Sequence, residues 1–90
     1  MDYQYPIDYT WSTEETVQVI QFFQAVEEAF EKGIGREEFM AAYRQFKTIV
    51  PGKSEEKKLC GEFEQASGYS PYQAVKKAKE IPAGSILRLK

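Results

Sequence analysis

STEETVQVIQFFQAVEEAFEKG, from Ser12 to Gly33, is the longest uninterrupted helical pattern in the 90-residue chain, and the segments that follow read as cover for its apolar face. Its start is explicit. Ser12 is placed to cap a free backbone N–H and Glu15 to reach back to the Ser12 N–H, the reciprocal arrangement of a capping box. Such a cap is worth roughly 0.5–2 kcal/mol. At about 100° per residue Val19, Phe22, Phe23, Val26, Ala29 and Phe30 fall within one arc of about 120°, with Gln21, Gln24, Glu27, Glu28 and Glu31 outside it. Gly33 supplies the left-handed conformation that ends a helix, and Lys32 complements the dipole in the last turn.

Val17 and Ile20 break this stripe. They lie together on the side otherwise given to polar residues, so the sequence predicts a cover for them: the N-terminal arm of the same chain, or a subunit or partner contact. Residues 1–11 carry Tyr3, Tyr5, Ile7, Tyr9 and Trp11 at strict alternation, which gives an extended segment one apolar side. The expectation is an ordered aromatic arm laid across the helices with Trp11 as a staple at the first helix; the alternative is an exposed arm that docks on a partner.

Three more helices follow. Ile34-Gly35 is a tight connection, and Arg36 to Val50 forms the second helix, with Phe39, Ala42, Tyr43, Phe46, Ile49 and Val50 on one face and Pro51 as its stop. So short a linker implies a helical hairpin. Ser54 is expected to cap a third helix reaching residue 67, whose core face is Leu59, Cys60, Phe63 and Ala66. Gly61 lies opposite that face, a position for which the pattern supplies no reason. Ser70-Pro71 opens a fourth helix, to about Ile81, with a cap and a proline at the first helical position, burying Ala74, Val75 and Ala78. After Pro82 and Gly84 the tail is read as extended, packed against the N-terminal arm. The fold class is therefore all-α: a compact single-domain array of four helices (about 12–32, 36–50, 54–67 and 70–81) with an extended aromatic N-terminal arm (1–11) and a tail (82–90).

Composition narrows the function. At 42% hydrophobic and 29% charged residues the chain is an ordinary globular domain, and at this length it buries only about 60–65% of its unfolded surface. No apolar run approaches the roughly 20 residues of a membrane span, and the acidic N-terminus has no signal-peptide pattern, so a cytoplasmic protein is expected. The single Cys60 agrees with a reducing compartment and fits the core face of the third helix. Histidine is absent, which removes His-based catalytic triads and the commonest metal-ligand sets. No cofactor, metal site or catalytic residue is assigned; a carboxylate or lysine enzyme is the third-ranked reading. Asp2, Asp8, Glu14 and Glu15 read as dipole partners at a helix start, not as a cation site. Ser70-Pro71 could be a phosphorylation motif, but its cap role explains both residues.

Charge is unevenly spread. Residues 1–32 hold seven acids and one base, residues 33–70 six of each, and residues 71–90 one acid and five bases, so the segments run about −6, 0 and +4. Either the ends neutralise each other across the domain, or they serve self-association or an acidic partner. The third and fourth helices with the Gly68-Tyr69-Ser70 turn also match the outline of a helix-turn-helix, Tyr72, Gln73, Lys76 and Lys77 standing where a recognition face would be. A pI near 5.2 disfavours nucleic acid. The leading expectation is a non-enzymatic protein-interaction module with an unidentified protein partner or self-association, its surface drawn from Val17, Ile20, Tyr72, Gln73, Lys76 and Lys77; the alternative is a nucleic-acid-associated regulator using the helix-turn-helix-like pair.

Tyr5-Pro6-Ile7, Trp11-Ser12-Thr13-Glu14-Glu15, Tyr43-Arg44-Gln45-Phe46-Lys47, Val50-Pro51, Lys53-Ser54-Glu55-Glu56-Lys57 and Ser67-Gly68-Tyr69-Ser70, taken together, resemble the YktA-like proteins, a small uncharacterised family of Bacillus-type bacteria. The resemblance covers nearly the whole chain. It implies a free-standing cytoplasmic helical protein of about this length, and neither an activity nor functional residues.

Overall fold

The capping box forms as the sequence dictates: the Glu15 amide donates to Ser12 Oγ over 3.1 Å and the Ser12 amide to Glu15 Oε1 over 2.8 Å. From it runs α1 (Thr13–Glu31) in the computed structural model, which describes residues 4–89. It is followed by β1 (Ile34–Gly35), α2 (Arg36–Ile49), α3 (Lys53–Ser67), α4 (Pro71–Glu80) and β2 (Ile86–Leu87). The fold is all-α, with one minimal antiparallel strand pair in which Ile34 faces Leu87 and Gly35 faces Ile86.

Phenylalanine makes the core. Phe22, Phe23, Phe39, Phe46 and Phe63 are fully buried, and each is worth about 1.5–3 kcal/mol of burial. Phe22 stacks on Phe46 with ring centroids 4.6 Å apart, and Phe23 on Phe63 at the same distance. The first pair joins α1 to α2 and the second joins α1 to α3, so α1 is the element on which the others pack. The small faces of Ala74 and Ala78 let α4 approach this core closely.

The tail takes a different course from the one expected. It pairs with the α1–α2 connection rather than lying on the N-terminal arm. The Arg36 amide donates to Ser85 O and the Leu89 amide to Ala29 O, each over 2.9 Å. The second bond satisfies one of the carbonyls that every helix leaves open in its last turn. Gly33 is the residue that admits the tail: its φ is 100°, and a Cβ there would stand 3.1 Å from Ile86 Cγ2.

The arm also departs from its alternation. Tyr5 enters as expected, ring-stacked on Phe23 and Phe63 with its hydroxyl donating to Glu27 over 2.8 Å. Pro6 is buried instead of Ile7, and Tyr9 is 98% exposed. The cause is a turn at Asp8, whose carboxylate accepts from the Thr10 amide and hydroxyl while its carbonyl accepts from the Trp11 amide. A turn breaks a period of two. Trp11 returns to pack, half-buried, against the core. Tyr3 lies outside the described residues. Two further corrections concern α3. Its N-cap is Gly52, without a side-chain bond, so Ser54 sits inside the helix. Ala66 is exposed, and Ser67, four residues on from Phe63, takes the buried place, its hydroxyl donating to Phe63 O over 2.7 Å.

Candidate functional site: a lysine-rimmed groove

Between α3 and α4 the surface opens into a groove of about 580 Å³, within the range of ordinary ligand and peptide clefts. Local sequence sets its walls. The α3 wall is Lys53, Glu56, Lys57 and Cys60, at i, i+3, i+4 and i+7, within an arc of about 100°. The α4 wall is Pro71, Tyr72, Val75, Lys76 and Lys79, which span an arc of about 140° and about 12 Å of helix. The half-buried ring of Tyr43 from α2 forms the floor between the two walls, with the fully buried Phe22 of α1 behind it.

The turn that spaces these walls is tightly specified. Ser67 Oγ accepts from the Tyr69 amide over 3.1 Å, and Ser70 Oγ accepts from the Gln73 amide over 3.2 Å with Pro71 at the first helical position. Gly68, at φ 83°, closes α3 in the left-handed conformation. Ser70 is thus held as a helix cap.

Electrostatically the groove is cationic over an apolar floor. The one carboxylate in the lining, Glu56, is already engaged: Oε1 accepts from Lys47 Nζ over 2.6 Å and Oε2 from the Tyr43 hydroxyl over 3.2 Å. Among the described residues Lys53, Lys57, Lys76 and Lys79 form no ion pair with a carboxylate. Burial, and then the charge of Glu56, pushes the Cys60 thiol up to about 12. At neutral pH it is a protonated, weakly nucleophilic lining group. Burial and Glu56 likewise raise the Tyr43 hydroxyl to about 12.

Of the residues singled out in the sequence, Tyr72 and Lys76 line the groove, and Tyr72 is 73% exposed. Gln73 and Lys77 project from the other side of α4, so the four residues do not act as one face. Lys53, Lys57 and Lys79 were not foreseen. Their i, i+4 and i, i+3 spacing to other lining residues was legible, but nothing in the sequence said that α3 and α4 share a floor. Val17 and Ile20 stand apart from the groove. Val17 is 46% exposed and Ile20 half-buried, and the arm's aromatic anchor, Tyr5, packs on Phe23 and Phe63 instead of over Val17.

A second, shallower depression of about 420 Å³ lies between α1 and α2, lined by Gln21, Gln24, Glu28, Glu38 and Gln45 around small alanines. Its apolar part is the edge of Ile34, 5% exposed, with three alanines. Asp8 and Glu15 spend their carboxylates on local backbone amides, and Asp2 lies outside the described residues. Among the described residues no three Cys, Asp or Glu side chains are grouped to hold a metal ion, and no helix is long and apolar enough to cross a membrane.

Residues 2–87 match the uncharacterised protein family UPF0223. The chain is 66% identical over 80 residues to the UPF0223 protein YktA of Bacillus subtilis (strain 168), covering 89% of this chain and 91% of that protein. It is 58% identical over 86 residues to the UPF0223 protein OB1419 of Oceanobacillus iheyensis, covering 96% and 98%. With a UPF0223 protein of Bacillus pumilus it shares 55% identity over 89 residues, covering 99% of this chain and 100% of the relative.

Proposed function

The chain belongs to the uncharacterised family UPF0223, and from that premise we propose that it is a small cytoplasmic, non-enzymatic protein-interaction module that receives its partner in the α3–α4 groove. One observation carries the reading: a half-buried apolar floor of Val75, Cys60 and the Tyr43 ring lies beneath a rim of lysines that form no ion pair among the described residues. An apolar centre with a charged margin is the anatomy of a protein interface. The non-enzymatic part rests on the chemistry of the lining, where Cys60 is held protonated and Glu56 is neutralised by Lys47. The cytoplasmic part rests on the lone, poorly ionisable cysteine. Nucleic acid is the weaker reading. Gln73 and Lys77 fall outside the groove, and the chain carries a net charge of −2, whereas affinity for nucleic acid comes mainly from neutralising phosphates.

The test is a photo-crosslinking amino acid placed at Tyr72 or Val75 in living cells, with Gln45, in the other depression, as the control position. A discrete protein adduct from the groove positions and none from Gln45 is the expected result. The absence of any groove-specific protein adduct, or an adduct with nucleic acid, would sink the reading.

A further inference from the structure

The rim of the groove says what kind of protein should fill it. Lysines stand on both walls, Lys53 and Lys57 on α3 and Lys76 and Lys79 on α4, with the half-buried Cys60, Val75 and Tyr43 between and beneath them. We propose that the groove takes an acidic amphipathic helix from another protein, its apolar stripe on Val75, Cys60 and the ring of Tyr43 and its Asp or Glu residues on both flanks meeting the lysines of the two walls. This rests on the interaction-module reading above and narrows it to one class of partner.

Three features lead there. Charge on either side of an apolar seam is the layout by which a helix is recognised in register, the flanking charges choosing the partner and its sign. The length fits: the α4 wall extends about 12 Å, room for two turns of a docked helix. Complementarity is one-sided, because the lining's only carboxylate is bound by Lys47 and Tyr43 and leaves the rim positive. A duplex nucleic acid would match the lysines but not the apolar floor. A second copy of this chain does offer an acidic helix, α1, but its exposed aliphatic residue, Val17, lies about 140° around that helix from Phe22. The rest of the apolar stripe of α1 is spent in its own core, Val19, Phe22, Phe23, Val26 and Ala29 being buried, so a second copy has no continuous apolar face to lay in the groove. The partner is therefore a different chain.

The experiment uses the whole protein with three synthetic peptides: a leucine-striped helix flanked by glutamates, the same helix flanked by lysines, and a scramble of the first with the stripe broken. Binding is followed by fluorescence anisotropy at several salt concentrations and mapped by amide chemical shifts. The acidic striped peptide should bind, shift the amides of Lys57, Cys60, Val75 and Lys76, and weaken with salt. Replacing Lys57 and Lys76 together, K57E and K76E, should weaken it by about tenfold or more, with unchanged circular dichroism showing that the fold persists. The proposal is overturned if no peptide binds, if the lysine-flanked or scrambled peptide binds as well, if charge reversal has no effect, if duplex DNA displaces the peptide, or if light scattering shows that the groove is filled by self-association. The crosslinking result separates the two levels. A groove-specific protein adduct together with a failed peptide series removes only the acidic helix; failure of both removes the interaction module as well.

Discussion

Tyr69 lies flat on Phe30, ring centroids 4.9 Å apart and planes within 8°, while its hydroxyl donates to Glu31 over 2.8 Å. One residue of the α3–α4 turn is thereby fastened to the last turn of α1. Because this turn sets the spacing of the groove walls, the contact should govern both stability and groove shape. Tyr69→Phe should cost about 0.5–1 kcal/mol, the worth of one exposed hydrogen bond. A double-mutant cycle of Tyr69→Ala with Phe30→Ala should return a coupling of about 0.5–1.5 kcal/mol in urea melts. A coupling near zero would mean that the stack only fills space.

Two glycines should respond to alanine with opposite signs. Gly33→Ala forces a Cβ against Ile86 at a φ of 100°, and should destabilise by about 1–3 kcal/mol. Gly61 lies inside α3 with nothing within 4 Å of a would-be Cβ, so Gly61→Ala should stabilise by about 0.5–1 kcal/mol. Thermal unfolding of the two variants beside the parent is enough to read both signs.

Tyr43 makes stability fall in alkali. Its hydroxyl is raised from an ordinary 10.0 to about 12 by burial and by Glu56. The fold thus resists its ionisation. The contribution is complete below pH 10 and is lost as pH rises toward 12. Absorbance titration of tyrosinate should show a late hydroxyl near pH 12 that vanishes in Tyr43→Phe, beside that of Tyr69, which its bond to Glu31 also raises, and the Tyr43→Phe variant should lose less stability across the same window.

Arg36 ties the two halves of the domain. Its Nε donates to Ala78 O over 2.7 Å, closing the C-terminal end of α4, and Nη1 meets Glu37 at 2.9 Å. The other oxygen of Glu37 accepts from the Gly84 amide over 2.8 Å, which holds that carboxyl below its usual range. Arg36→Ala should cost about 1.5–3 kcal/mol, as for a hydrogen bond to a charged group, and should speed amide exchange at Ile86 and Leu87. With a depressed pKa the Glu37 tie is complete above the ordinary carboxylate range and loosens as pH falls through the folded value, so the same amides should exchange faster in acid relative to the intrinsic rate. Unchanged exchange in Arg36→Ala would show the tail to be held without this tie.

Legibility in the sequence followed the length of each signal. α1 was readable because a reciprocal cap and a 3.6-residue period agree over nineteen residues. α4 was readable from Ser70-Pro71. The start of α3 was misplaced because Gly52 caps without a side-chain bond, so Ser54, the better cap by type, drew the reading. The Ile34–Leu87 pairing carried no signal, since a two-residue strand has no period. The arm misled for the opposite reason: its alternation was clear, but the hydrogen bonds of Asp8 outweigh it locally. Tyr72 and Lys76 were found as exposed residues of one helix. The groove was not, because its lining comes from four helices and exists only after they pack.

The latch between β1 and β2 also has a consequence for synthesis. Ile86, Leu87 and Leu89 are translated after all four helices, yet they supply the strand partner of Ile34 and an amide for the end of α1. The helical hairpin can collapse as it emerges, but its far edge stays open until the ribosome has delivered the tail. A chain released early would present an unpaired strand edge and a core without Leu87, a form that proteases clear preferentially. The tail is therefore the last piece of the core to be laid down, after all four helices.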